Sequence, residues 1–131
     1  MTTFSSDDFR KACGLWASGV SIVTTRDAAG KGFGLTMNAV TSLSLDPPLF
    51  VVCLDNKSDT LGPLTESKVF AINVLAADQQ ALSNAFAKKN PDKFAEVPFE
   101  TGATGAPLLP GRLLGIECAV TGVYPEGDHH I

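Results

Sequence analysis

At 131 residues, with 44% hydrophobic and 18% charged side chains, the chain has the length for one domain with a core of its own and not for two. A net charge of −4, with paired lysines only at Lys88 and Lys89, excludes a surface built to condense on nucleic-acid phosphates or anionic lipid. Three separated cysteines, Cys13, Cys53 and Cys118, form no C-x-x-C pair, an acidic N-terminus replaces a signal peptide's basic one, and no apolar run is long enough to span a membrane, which together read as a cytoplasmic protein without disulfide framework or zinc site.

In chain order, residues 5–19 predict a capped amphipathic helix: Ser5 and Asp8 have capping-box spacing, Phe9, Cys13 and Trp16 share one face, and Gly19 is the stop. Residues 20–25 are rich in β-branched side chains, and the turn RDAAGKG leads into FGLTMNAV, giving a β-hairpin. A third strand starts at Leu49 in LFVVCLD; it does not alternate, which predicts burial on both faces. Thr60 is the N-cap of a short helix, and VFAINVLA from Val69 returns to strand.

A second clear helix opens at Asp78, carries Leu82 and Phe86 on its apolar face, and ends at Asn90 and Pro91; PDKFAEV then adds a helical turn. Residues 98–111 form a Gly- and Pro-rich loop, and LLGIECAVTGVY is a long strand reaching the turn PEGD. Strands follow one another without regular helical crossovers, so the order predicts a mainly β fold, an antiparallel sheet or barrel with peripheral helices. The last turn points into a strand that barely begins, which leaves an open edge.

The common catalytic templates are missing: there is no G-x-S-x-G elbow, no P-loop, no G-x-G-x-x-G opening a helix and no H-E-x-x-H. GKGFG precedes a strand and lacks the third spaced glycine, so it reads as a hairpin turn. His129 and His130 are the only histidines; such a residue at a strand start serves as a proton donor or a ring stacked on a cofactor, whereas a terminal pair is more often a solvated feature. Thr36, Asn38, Thr41, Ser42 and Ser44 gather short donors and acceptors suited to a phosphate, a ribityl chain or the polar edge of a heteroaromatic ring. Equally, Thr suits strands and Ser satisfies turn backbones ahead of DPP. The residues alone stop at an α+β or β-barrel domain with a candidate anionic-ligand pocket.

The ordered segments ASGVSIVTT, GFGLTMNAVTSLSLDPPLFVVCLDNKSDT, FAINVLAADQQALSNAFA, PDKFAEV, TGAPLLPGRLLGIECAV and EGDHHI carry a resemblance that runs from about Phe9 to the last residue. Their order and spacing resemble the flavin reductase-like family, the small reductase components of two-component flavin-dependent monooxygenases. The resemblance implies an FMN-binding split β-barrel, a homodimer with FMN or FAD near the subunit interface, hydride taken from NADH or NADPH, and reduced flavin released to a separate monooxygenase. Family members continue past the final turn, so it also implies a single domain over residues 1–131 that lacks its C-terminal strands.

By that match, Gly32, Phe33, Gly34, Leu35, Thr36, Asn38 and Ala39 line the isoalloxazine ring and ribityl chain. Cys53, Leu54 and Asp55 form the strand end beside the flavin, and Asp59 and Thr60 begin the helix that receives the phosphate. In LSNAFA, Ala85 before Phe86 stands where the family commonly has an arginine. The departure removes a charge-assisted contact of roughly 1.5–3 kcal/mol and leaves Lys88 or Lys89 to supply the charge. Asp128 and His129, in the turn GDH, fall on the nicotinamide side, with His129 orienting the nicotinamide or protonating reduced flavin rather than performing an obligatory step. Two other readings stand beside the reductase: a flavin-binding electron carrier or storage protein of the same fold and, more distantly, an oxidase of the pyridoxamine-phosphate type, whose basic phosphate-binding residues are not evident.

Overall fold

The segments richest in β-branched residues become the centre of the molecule. In a computed structural model describing residues 3–131, β1 (Ser21–Arg26) and β2 (Gly32–Met37) form the expected hairpin. β1 pairs on its other side with β6 (Val69–Val74), and β6 with β9 (Leu114–Ala119), all antiparallel. In the first turn Asp27 accepts from the N–H groups of Ala29 and Lys31 at 2.9 and 2.8 Å, while Gly30 takes a φ of 84° that a side chain disfavours.

Alternation along the strands gives this sheet two faces. On one, Val23, Leu35, Met37, Phe70 and Ile72 pack with Leu64 of α2 (Leu61–Ser67). On the other, Ile22 meets Phe86 of α3 (Gln80–Ala87) and Leu109, all three fully buried. Polar groups on that second face are matched. Asn73 Nδ2 donates to Ile22 O, Thr24 Oγ1 and Pro107 O, its Oδ1 accepts from Leu109 N at 2.8 Å, and Thr24 Oγ1 donates to Pro107 O at 2.6 Å. This network fastens the Gly- and Pro-rich segment to the sheet.

β3 (Val40–Leu45) and β4 (Pro48–Val52) form a separate hairpin across the cis Asp46-Pro47 peptide. β5 (Leu54–Asp55), β10 (Pro125–Glu126) and β11 (His129–His130) make a three-stranded sheet in the order β10-β11-β5. The mainly β content, antiparallel pairing and peripheral helices agree with the sequence expectation. Among the described residues the sheets do not close into a barrel, and no helix is long and apolar enough to cross a membrane.

Several boundaries differ. α1 (Ser6–Cys13) has its capping box, with Ser5 Oγ accepting from Asp8 N at 3.1 Å, but it ends before Gly14, whose N–H bonds Arg10 O, rather than at Gly19, and none of its residues is buried. β2 stops at Met37 because Asn38 O accepts from Val40 N and turns the chain into β3. β4 is not buried on both faces: it pairs only with β3, outside the four-stranded sheet, and its inner residues alternate in exposure. Thr60 precedes α2 with helical backbone angles and makes no side-chain cap.

α3 starts after Gln79 rather than at Asp78, since Gln79 Oε1 accepts from Ala76 N, and it ends at Ala87. PDKFAEV forms turns instead of a helix, its Phe94 packed edge-on to Phe86. The segment expected as a loop over residues 98–111 holds the short pair β7 (Glu100–Thr101) and β8 (Pro107–Leu108), and β9 stops at Ala119 instead of reaching Tyr124.

Candidate functional site

Gly32, Gly34 and Thr36 alternate onto the α3 face of β2. A Cβ at Gly34 would stand 3.1 Å from the Phe86 ring and 3.2 Å from Thr24 Cγ2; one at Gly32 would stand 3.0 Å from Pro107 and 3.1 Å from Phe94. The two glycines therefore let α3 and the residue 107 segment close on the strand. Thr36 Oγ1 donates to Ser83 O at 2.6 Å, so its hydroxyl holds α3. Phe33 is half-buried with the Lys31 ammonium 5.5 Å from its ring centroid, and Leu35 packs on the larger apolar cluster.

Past Met37 the strand opens. Asn38 and Ala39 are exposed and share a cleft of about 500 Å³ with Ala12, Cys13 and Trp16. Ala39 O accepts from Cys53 N at 3.1 Å, which puts the half-buried Cys53 beside it. The Asn38 amide brings one acceptor and a two-proton donor to this cleft wall.

The C-terminal turn is laid on β5, so that Asp55 faces His129 and the buried Leu54 faces His130. Asp55 Oδ1 accepts from Lys57 N at 2.7 Å. His129 Nδ1 stands 2.7 Å from Asp128 Oδ1, and that hydrogen bond, followed by the histidine's charge, holds the Asp128 carboxyl below its usual range. A carboxylate only accepts, so His129 carries its proton on Nδ1 and keeps Nε2 as the free ring nitrogen. His130, given no role by its position in the sequence, has Nδ1 2.7 Å from Asn56 Oδ1, and Asn56 N donates to Asp128 O at 3.0 Å. Together they tie the turn to the loop after β5.

Asp59 is exposed, and Thr60 beside it is buried. Ala85 and Phe86 part in the same way, alanine to solvent and phenylalanine to the core. Lys93, unremarked in the sequence within PDKFAEV, lies against this place. Its Nζ donates to Gly34 O and Phe86 O, each at 2.9 Å, and stands 6.0 Å from the Phe86 ring centroid. Burial pushes the Lys93 ammonium below its usual range, and the charge of Asp59 acts in the opposite sense.

A larger, apolar trough of about 610 Å³ lies between the β3–β4 hairpin and β9 with the segment after it; of the residues predicted for the site, only Leu54 reaches it. The predicted residues thus fall into two adjoining groups rather than one cavity. One is the β2–α3 seam with Lys93. The other runs from Asn38 and Ala39 through Cys53 and Asp55 to His129. Neither Lys93 nor His130 has a local signal that could reveal it, because their partners Gly34 and Asn56 are distant in the chain.

The family model described as flavin reductase like domain matches residues 13–131. The reductase subunit HsaB of a flavin-dependent monooxygenase from Rhodococcus jostii is 36% identical over 123 residues, which are 94% of this chain and 63% of that protein. FMN reductase (NADH) RutF of Enterobacter cloacae is 36% identical over 133 residues, 100% of this chain and 80% of RutF. The structure of Streptomyces globisporus NADH:FAD oxidoreductase SgcE6 in complex with NAD and FAD fragments superposes with a TM-score of 0.88 at 33% identity, covering 99% of this chain and 80% of that one. The chain spans 41% and 55% of the length of two further curated relatives, both from Rhizobium meliloti. These likenesses bear out the expected split-barrel reductase fold.

Proposed function

The chain belongs to the flavin reductase like domain family, and from that membership we propose that it is an NAD(P)H-dependent flavin reductase, passing hydride from NADH or NADPH to FMN or FAD for a separate monooxygenase. The observation that carries this reading is the meeting of Asn38, Ala39 and Trp16 in one open cleft at the end of β2, with Cys53 hydrogen-bonded to Ala39. Small-molecule sites typically measure ~300–1,000 Å³, and this cleft falls in that range. An amide and an indole lining one cleft suit a planar heteroaromatic ligand with a polar edge, so the donor set fits a flavin. RutF is named for FMN and NADH, and HsaB as a monooxygenase reductase subunit, which supports the same chemistry and partner here.

Bound flavin would supply the hydride acceptor and bound nicotinamide nucleotide the donor. The chain's part is to orient them and to shape the field around them. Asn38 binds the polar edge of the ring, Ala39 lets the backbone come close, and Asp128 holds His129 by Nδ1 so that Nε2 is left to accept a hydrogen bond from the nicotinamide amide. Hydride transfer itself needs no acid, so His129 orients rather than drives. The exposed apolar side chains Leu43, Leu45 and Phe50 on the β3–β4 hairpin support a homodimer in which that hairpin meets a second copy.

The test is steady-state oxidation of NADH or NADPH by the purified protein with FMN, FAD or no flavin. The reading expects flavin-dependent loss of nucleotide absorbance in at least one pairing. Silence in every pairing sinks it, and yellow protein without oxidation indicates the carrier instead.

A further inference from the structure

The turn that carries His129 is held to the molecule by little backbone. β11 meets β5 over two positions, His129 opposite Asp55 and His130 opposite Leu54, and a ladder that short fixes orientation poorly without side-chain help. That help is concentrated at Asn56. Its N–H donates to Asp128 O at 3.0 Å and its Oδ1 accepts from His130 Nδ1 at 2.7 Å, so one residue grips the turn on both sides of His129. Asn56 is itself a fixed post. Asp55 O accepts from Ser58 N at 2.9 Å and Asp55 Oδ1 from Lys57 N at 2.7 Å, which folds the loop against the end of β5.

The two histidines have different surroundings because neighbours on a strand point to opposite faces of the sheet. His130 and its partner Leu54 line the apolar trough, and His129 does not. An amide oxygen only accepts, so the Nδ1 proton of His130 is committed to Asn56 on the trough side. Asn56 is exposed, so the pair adds little to the core; what it fixes is the place of the turn.

We propose that Asn56 and His130 are positioning residues for the nicotinamide nucleotide: their hydrogen bond, on the trough side of the β10-β11-β5 sheet, sets where His129 offers Nε2 on the other side. This rests on the flavin reductase reading and adds two residues that act on the nucleotide through His129 without meeting it. With the Asn56 amide and N–H both engaged, Asp128 and His129 keep one geometry, and less ordering is left to nucleotide binding. Losing either partner frees the turn. The loss falls on the nucleotide rather than on flavin, whose cleft at Asn38 and Ala39 is built from other elements.

The test is steady-state kinetics of the full chain with NADH or NADPH and a fixed flavin, alongside flavin titration and nitrogen NMR of the histidine rings in the flavin-free protein. The proteins compared are the wild type, His130→Leu, His130→Asn, Asn56→Ala, His129→Asn and the double variant His129→Asn/His130→Leu. His130→Leu and Asn56→Ala should each raise KM for the nucleotide ~3–10-fold, the span of one hydrogen bond, with kcat and flavin affinity within about twofold. His130→Asn, which keeps a donor near the Nδ1 position, should recover most of the loss. In the His129→Asn background His130→Leu should add nothing, because the effect runs through His129. The chain has two histidines, so His130→Leu leaves the His129 ring alone in the spectrum. That ring should exchange between tautomers where the wild type holds its proton on Nδ1. An unmoved KM, a His129 ring unchanged by His130→Leu, full additivity in the double variant, or equal weakening of flavin binding overturns the proposal while the reductase reading stands. Should His130→Leu not fold, Asn56→Ala, at an exposed position, decides on the same kinetic and NMR terms. A wild type that oxidises neither nucleotide with any flavin overturns both.

Discussion

The Thr36 hydroxyl donates to the Ser83 carbonyl at 2.6 Å, joining the edge strand β2 to the helix α3 that covers it. A threonine expected to face a ligand thus works first as an anchor for α3. Thr36→Val should cost about 1–2 kcal/mol in urea unfolding, the scale of one hydrogen bond in a half-buried setting, and Thr36→Ser should recover most of it. A Thr36→Val protein of unchanged stability that no longer binds flavin would assign the hydroxyl to the ligand.

Gly34 and Gly62 separate packing from propensity. Gly34→Ala places a methyl 3.1 Å from a fully buried Phe86 ring and should destabilise by about 1–3 kcal/mol. Gly62, within α2, has open space around its Cα, so Gly62→Ala should stabilise by up to about 1 kcal/mol through helix propensity. Thermal unfolding of both variants decides it; a neutral Gly34→Ala would mean that α3 is not closed on β2 as described.

Glu117 controls acid stability of the segment over residues 102–105. Its carboxylate accepts from Thr104 Oγ1 at 2.6 Å, Thr104 N at 2.8 Å and Ala103 N at 3.1 Å, and these bonds, the hydroxyl's first, lower its pKa from the ordinary 4.5. The folded state therefore holds the ionised form more firmly than the unfolded chain does. The resulting stability is complete above the ordinary value and disappears as pH falls through the lowered folded value. Glu117→Gln should flatten that acid limb in denaturation curves collected across pH, and an unaltered limb would contradict the assignment.

Much of this architecture is legible in the sequence for local reasons. Residues 20–25 and 69–74 are dense in β-branched side chains and bounded by turn signals, and Ser5 with Asp8 spells out a capping box that the structure contains. Other features depend on partners that local pattern does not report. LFVVCLD lacks alternation in its composition, yet β4 leaves the main sheet and is only partly covered, because pairing with β3 decides its environment. The spacing of Gly32, Gly34 and Thr36 looks the same whether the strand approaches a ligand or a helix; only the positions of Phe86, Pro107 and Ser83 distinguish the two. Trp16 belongs to the cleft with Asn38 because the chain leaves α1 early, and no periodicity marks that.

His129→Asn should reduce kcat or raise KM for the nicotinamide nucleotide while flavin affinity stays unchanged. The fall should be smaller than the ~10²–10⁴-fold loss typical of an obligatory general acid. Steady-state kinetics with a separate flavin titration measures both, and a loss of that full size would make His129 indispensable to the chemistry.

Asn38→Trp should fill the cleft beside Ala39 and weaken flavin binding at least tenfold, about 1.4 kcal/mol, with little change in unfolding because Asn38 is exposed. Unchanged affinity would place the flavin somewhere other than this cleft.

The central claim is that the chain transfers hydride from a nicotinamide nucleotide to flavin. Its most direct measurement is an anaerobic mixture of the protein, NADH or NADPH, and FMN or FAD, with nucleotide and flavin absorbance recorded together. The account predicts that flavin bleaches in step with nucleotide oxidation, in equal molar amounts and far faster than without protein. Flavin that stays yellow at the uncatalysed rate, with every pairing of nucleotide and flavin, would contradict it.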